Sequence, residues 1–154
     1  MTALSLDRAA IEAAIPHRDP FLFLDRVTDG DESFLVGEWD VPVDAAWFQG
    51  HFPGQPVLPG VLISEHAFQA AAVLISRALG GFSADDGVPV LTRIENAKYR
   101  RMVTGGETLV TRAEVVERVG PAWRMRATVR TGGAKVAELA YVLTAVGALA
   151  RLGV

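Results

Sequence analysis

His17, His51 and His66 are the only histidines in a chain of 154 residues that has no cysteine. Imidazole chemistry therefore has few candidates, and a thiol nucleophile, a thiolate metal site and a disulfide framework are all excluded. His51 stands within Trp47-Phe48-Gln49-Gly50-His51-Phe52-Pro53-Gly54-Gln55-Pro56-Val57-Leu58-Pro59-Gly60. That stretch is too rich in Gly and Pro for regular structure, yet it is strongly apolar. Trp47, Phe48 and Phe52 are expected to keep water from the ring and so to favour the neutral imidazole that a general base requires, because desolvation penalises the charged form. The plainer alternative is a loop histidine whose ring is satisfied by a backbone carbonyl.

Glu65 follows in an apolar segment, a costly place for a carboxylate unless it is paired or protonated. Burial raises a carboxyl pKa, so this placement suits a general acid near neutral pH. A salt bridge to an arginine such as Arg77 or Arg93 is the structural alternative. Gln69 is four residues on, on the same helical face, where its amide can bond Glu65 or a water. Ser76 continues that polar line, with a bond back to a helix carbonyl as its expected role. Gly60 opens the segment. The amide hydrogens there would point outward at the positive end of the helix dipole and could hold an oxyanion or a polarised carbonyl. A base, a buried acid and an amide-lined helix start together suggest proton abstraction beside a carbonyl, with protonation of a leaving group.

The elements that must position these groups can be read from the pattern. Pro59 to about Leu79 has no internal proline, with Pro59 suited to the first helical position and Gly80-Gly81 to the stop. Its apolar residues surround the axis, which predicts a helix roughly 30 Å long with most faces buried. Before it, Ser5 can cap a short helix over Leu6 to Ala14 that ends at Pro16. Phe21 to Val27 and Phe34 to Val43 read as a hairpin about an Asp29-Gly30-Asp31 turn. After a loop around Ser83 to Gly87, strands are expected over Val88 to Arg100, Thr108 to Arg118, Trp123 to Arg130 and Ala134 to Val146, the last two joined at Gly132-Gly133. Arg124, Arg126, Thr128 and Arg130 alternate with Met125, Ala127 and Val129, so one face should be wet and the other dry. One long helix against a single antiparallel sheet is an α+β arrangement. An edge strand of so small a sheet would gain by pairing with a second copy, which predicts at least a homodimer.

Composition bounds the partners. The chain is 50% hydrophobic and 21% charged, with fifteen Lys and Arg against eighteen Asp and Glu for a net charge of −3. This suits one globular domain over residues 1–154 with no broad basic field for nucleic acid. No apolar run reaches the roughly 18 residues of a membrane span, and the N-terminus lacks a signal pattern. A cytoplasmic protein is expected, and no His, Asp and Glu cluster suggests a metal.

His51-Phe52-Pro53-Gly54-Gln55-Pro56-Val57-Leu58-Pro59-Gly60-Val61-Leu62-Ile63, followed by Glu65 and Gln69, resembles the active-site signature of the hot-dog-fold 3-hydroxyacyl-(acyl carrier protein) dehydratases of FabZ type. Ile15-Pro16-His17-Arg18-Asp19-Pro20-Phe21 with Asp25-Arg26, and Ile94-Glu95-Asn96-Ala97-Lys98-Tyr99-Arg100, are similar to two further motifs of that family. The resemblance implies a sheet wrapped around one buried helix, in a homodimer or a trimer of dimers. It implies His51 as the catalytic histidine and Glu65 as the catalytic acid, contributed by opposite subunits, with the Gly60 amide on the thioester oxygen. No cofactor is implied. Gln69, Phe48, Phe52 and Phe68 are the remaining candidates for the substrate site. The substrate would be a 3-hydroxyacyl chain on an acidic carrier protein, received at a basic patch of Lys98, Arg100 and Arg101. Arg124, Arg126 and Arg130 form a second stripe that reads as ordinary solvated charge.

The chain departs from the family at several points. His66 and Phe68 stand where small or flexible residues are common, Asp19 replaces a common aromatic, and Thr104-Gly105-Gly106 stands where Pro-Gly-Asp is frequent. Phe68, near Glu65 at i+3, is placed to narrow or redirect the acyl tunnel, and His66 reads as a packing or surface residue. A hot-dog acyl thioesterase, with Glu65 activating water, and a non-catalytic acyl-carrier-binding subunit are the competing functions.

Overall fold

A computed structural model describes residues 3–82 and 87–146. Its elements run α1 (Arg8–Ala14), β1 (Arg26–Gly30), β2 (Phe34–Asp40), a short 3-10 turn (Ala46–Gln49), α2 (Gly60–Ala78), β3 (Val88–Tyr99), β4 (Thr108–Val119), β5 (Ala122–Thr131) and β6 (Ala134–Val146). The strands form one antiparallel sheet in the order β1-β2-β4-β5-β6-β3. α2 lies across its inner face, and every residue from Ile63 to Ser76 except Glu65 is buried. This is the α+β hot-dog arrangement that the motifs implied. Most faces of the helix are buried as expected, and the exposed positions, Val61 at 73% with Arg77 and Ala78, lie at its two ends.

Both ends of α2 have local causes. Pro59 is the cap rather than the first helical residue, with ψ at 133°, and Gly60 is the first residue with helical geometry. At the other end Gly80 takes φ of 73°. Its N–H bonds the Arg77 carbonyl while that of Gly81 bonds Ser76 at 2.7 Å. These paired bonds close off the last helical carbonyls, and the positive φ is one that glycine adopts at no steric cost.

The N-terminal third differs most from expectation. Asp7, not Ser5, caps α1, its Oδ1 accepting from Ala10 N at 2.8 Å. Leu6 is held extended by two backbone bonds to Val27, so the helix cannot begin before Asp7. Ile15, before Pro16, is extended, as the clash with a following proline ring demands. Residues 21–24 are not a strand. Gln69 and His66 of α2 take up their backbone groups instead: Phe23 N donates to Gln69 Oε1 at 2.7 Å, Gln69 Nε2 donates to Phe21 O at 3.1 Å, and His66 Nδ1 bonds Phe23 O at 2.7 Å. β1 therefore starts only at Arg26, and the turn moves to Asp31–Ser33, where Asp31 Oδ1 accepts from the Ser33 and Phe34 amides. β2 stops at Asp40, short of Val43.

The C-terminal strands follow the pattern closely. Trp123, Met125, Ala127 and Val129 are buried while Arg124, Arg126 and Arg130 are exposed. β6 has the expected limits, although only its residues to Val146 are described. β3 lies at one edge of the sheet, with Leu91 41% and Ile94 50% exposed on it. The part of the loop expected at Ser83 to Gly87 that spans 83–86 lies outside the described residues. Among those described, no helix is long and apolar enough to cross a membrane.

Candidate active site

The loop before α2 presents His51, and a single contact fixes its ring: Nδ1 lies 2.8 Å from the Val57 carbonyl oxygen. A carbonyl only accepts, so in the neutral ring Nδ1 carries the proton and the Nε2 lone pair is left free. The plainer reading of His51, a ring satisfied by a backbone carbonyl, thus describes the geometry, and that same bond selects the tautomer a base needs. Val57 N in turn bonds His51 O at 2.9 Å, which closes the loop on itself.

The shielding aromatics are arranged otherwise than expected. Phe52 stacks on His51 with ring centroids 4.0 Å apart, but it is 52% exposed. Phe48 is a core residue, packed on Trp47 and lying under Gly105, so within one chain it offers no surface to a substrate. Trp47 turns toward Phe23 and Trp39.

His51, Gly60, Tyr99, Arg100, Arg101 and Met102 share one surface cavity of about 380 Å³. A Cβ on Gly60 would lie 3.2 Å from the Tyr99 ring, tight enough to favour glycine there. The Tyr99 hydroxyl bonds Ser64 of the next helical turn. Leu62 and Ile63 return bonds to the Pro59 carbonyl, and the amides of Gly60 and Val61 precede the first of these.

Glu65 lies elsewhere. It lines a second cavity of about 450 Å³ with His17, Phe68, Ala72, Leu91 and Leu143, so in one chain His51 and Glu65 do not share a pocket. Burial raises the Glu65 carboxyl above its ordinary pKa, and the hydrogen bond from Gln69 offsets part of that rise. Gln69 Nε2 donates to Oε1 at 3.1 Å, the i+4 contact expected from the spacing. Gln69 itself is buried, with its amide bonded to Phe21, Phe23 and Glu65, and it does not line either cavity. Among the described residues neither Arg77 nor Arg93 pairs with Glu65. Its charged-group neighbour is His17, whose Nε2 is 3.7 Å from Oε1.

Sequence reasoning kept His17 as part of a motif and gave it no role in the site. The missing signal was tertiary, because a loop after α1 has to fold back over the second turn of α2. Phe68 packs on Tyr141 at 4.6 Å and is buried, yet it contributes to the wall of the Glu65 cavity. His66 is a packing residue, fully buried against Trp39, and burial pulls its pKa down to about 4.

Of the basic cluster, Arg100 pairs with Glu138 and Arg101 with Glu107, while Lys98 is exposed. Lys135 joins Glu138, so four cations stand against two carboxylates and the patch stays positive. Arg124 of the second stripe pairs with Glu95 at 3.0 Å, as ordinary surface charge does. A larger depression of about 880 Å³ at the other end of α2, beside Asp31, Glu32 and Arg77, contains none of the candidate residues. Among the described residues no cluster of His, Asp and Glu could hold a metal ion.

Residues 15–140 match the model of the FabA-like domain. A 3-hydroxyacyl-[acyl-carrier-protein] dehydratase FabZ from Anaeromyxobacter sp. (strain Fw109-5) is 40% identical over 139 residues, covering 89% of this chain and 88% of that protein. The protein of the same name from Acidiphilium cryptum (strain JF-5) is 42% identical over 138 residues, covering 89% and 83%. Among solved structures, the dehydratase heterocomplex ApeI:P from Xenorhabdus doucetiae aligns with a TM-score of 0.76 at 14% identity, covering 93% of this chain and 95% of that one. A hypothetical thioesterase with coenzyme A from Streptococcus pneumoniae TIGR4 aligns with a TM-score of 0.59 at 10% identity, covering 79% and 84%. At these identities the two structures establish the fold alone.

Proposed function

Because the chain belongs to the family of FabA-like domains, we propose that it dehydrates 3-hydroxyacyl-[acyl-carrier-protein] thioesters to trans-2-enoyl thioesters, in fatty acid synthesis or a related lipid or polyketide pathway. The relatives of about 40% identity carry that activity in their names. The supporting observation in this chain is the state of two groups: His51, whose Nδ1 is taken up by the Val57 carbonyl so that Nε2 is the ring nitrogen left to act, and Glu65, whose carboxyl burial holds toward its protonated form.

His51 Nε2 takes a proton from C2 of the substrate, and the amide at Gly60 holds the negative charge that gathers on the thioester oxygen. The C2–H electron pair becomes the π component of the C2=C3 double bond as the C3–O bond breaks. Glu65 gives its proton to the departing hydroxyl, so water leaves. The cycle ends with a proton on His51 and a carboxylate at Glu65, and one proton passed between them through water resets both. No cofactor enters this chemistry.

One chain holds the base and the acid in separate cavities, so two copies are required, each lending one group to each site. A homodimer joined along the half-exposed apolar edge of β3 meets this need, and a trimer of such dimers is compatible with it. Phe52, exposed beside His51, and Phe68, in the wall beside Glu65, border the acyl chain, and Phe48 supports the loop from below. Arg100 and Arg101, which line the His51 cavity, and the exposed Lys98 receive the acidic carrier protein. A carrier-bound substrate places the work in the cytoplasm, and the chain acts as one hot-dog domain over residues 1–154.

Incubating the protein with a 3-hydroxyacyl carrier-protein thioester and following the intact thioester by mass tests this reading. Loss of one water is expected. Release of free acid would instead indicate a thioesterase, and an unchanged thioester a binding subunit.

A further inference from the structure

Among the described residues, His17 and Glu65 are the two titratable side chains in the wall of their cavity, and the rest of that wall is apolar. Arg18 fixes the loop that carries His17, with Nη1 donating to the carbonyls of Ile15 at 2.9 Å and His17 at 2.7 Å, and Nη2 donating to Glu12 at 2.8 Å. The His17 ring has Nδ1 buried and without a partner, and Nε2 3.7 Å from Glu65 Oε1. A proton on Nδ1 would be a buried orphan donor, whereas a proton on Nε2 faces a carboxylate, so the second tautomer is the stable one. Gln69 Nε2 approaches the same Oε1 from the helix side. Oε1 of Glu65 thus accepts one hydrogen bond, from Gln69, and has His17 Nε2 standing just beyond bonding distance.

We propose that His17 is a positioning residue which, with Gln69, reserves Oε1 of Glu65 as an acceptor and leaves Oε2 to carry and deliver the proton. This rests on the dehydratase reading above. An oxygen that already accepts hydrogen bonds is the less basic of the pair, so the proton resides on the other. When Oε2 gives up its proton the carboxylate gains charge, and the 3.7 Å approach of His17 Nε2 can shorten to a full hydrogen bond. His17 moves no proton itself.

The role requires a neutral ring, since an imidazolium would draw Glu65 into a standing ion pair and strip it of its proton. Burial, and then the Arg18 guanidinium, lower the His17 pKa in that sense. Among the described residues, β3 and β6 present only apolar side chains to this cavity, and the proposed second copy brings His51 as a further titratable group.

The test compares His17→Leu, which removes the donor, with His17→Gln, which keeps an N–H, in pH profiles of dehydration. His17→Leu should lower kcat about tenfold with KM within about twofold, since a hydrogen bond to a charged group is lost only where the charge develops. The alkaline limb of kcat should move to higher pH, and His17→Gln should restore most of both. A raised KM with unchanged kcat, an unmoved limb, or equal impairment of the two variants would overturn the proposal. Nitrogen-15 NMR of the histidine rings in the unaltered protein decides the matter even if a variant does not fold. Neutral His17 with its proton on Nε2 is expected near pH 7, and an Nδ1–H tautomer or an imidazolium refutes it. Because the spectrum needs no turnover, it stands apart from a failure of the unaltered protein to dehydrate, which would sink the functional reading alone.

Discussion

At Glu65 and His51 the side chains are ordinary, and their use depends on what touches them. Val57 O sets the His51 tautomer, and burial with a single bond from Gln69 sets the acid character of Glu65. His51→Ala removes the proposed base, and Glu65→Gln keeps the shape of the proposed acid without its proton. Each is expected to lower dehydration by about 10²- to 10⁴-fold with the circular dichroism spectrum unchanged, as measured by steady-state turnover. His66 makes a separate prediction. Its folded pKa of about 4 lies below the ordinary 6.5, so between these values the unfolded chain binds the extra proton and stability falls as the pH falls. Urea unfolding at fixed protein concentration should lose about 2–3 kcal/mol from this group between pH 7 and 4.5. The raised pKa of Glu65 works in the opposite sense over part of the same window. His66→Asn, which keeps an N–H for the Phe23 carbonyl and does not titrate, should show the flatter pH dependence.

Among the elements, α2 is a scaffold on which polar residues inside an apolar helix each serve a neighbouring segment. Gln69 and His66 replace a strand partner for residues 21–24, which explains why a sequence with strand composition is not a strand there. Strand propensity reflects the fit of a side chain to a pleated, half-buried surface, whereas here Leu22, Phe23 and Leu24 are all buried in the core and Phe21 is left half exposed. Gln69→Leu leaves the Phe23 amide and the Phe21 carbonyl without their partners. A loss of about 2–4 kcal/mol is expected in denaturant unfolding. Amide exchange at Phe23 should accelerate far more than at the sheet centre. Dehydration should fall as well, because Glu65 loses the bond that orients it.

For the whole molecule, the separation of His51 and Glu65 into two cavities makes a quantitative statement about assembly. In the proposed dimer, neither His51→Ala alone nor Glu65→Gln alone would leave a complete site. When the two are unfolded together and refolded at equal concentration, half of the dimers should be mixed. Each mixed dimer has one site with both groups intact, so activity should return to about a quarter of the unaltered level. No recovery on mixing would show that each chain completes its own site. Ile94→Lys, on the exposed face of the edge strand β3, should shift the protein toward monomer in sedimentation and abolish turnover in proportion.

Much was legible in the sequence because it was local. The Gly/Pro-rich loop with His51, the glycine stop of the long helix, the i+4 pair of Glu65 and Gln69, and the alternation of β5 are each set by neighbours within a few residues, where backbone sterics and side-chain period decide the outcome. The α+β class follows from one all-round apolar helix beside amphipathic strands. What the tertiary structure alone decided involves groups far apart in the chain. The Leu6–Val27 bridge moved the cap from Ser5 to Asp7, and helix side chains rather than a strand took up the backbone of residues 21–24. The core claimed Phe48, and the loop after α1 brought His17 to Glu65. In each case a buried polar group or an apolar ring had to find its partner across the fold, and no spacing along the chain encodes which partner that will be.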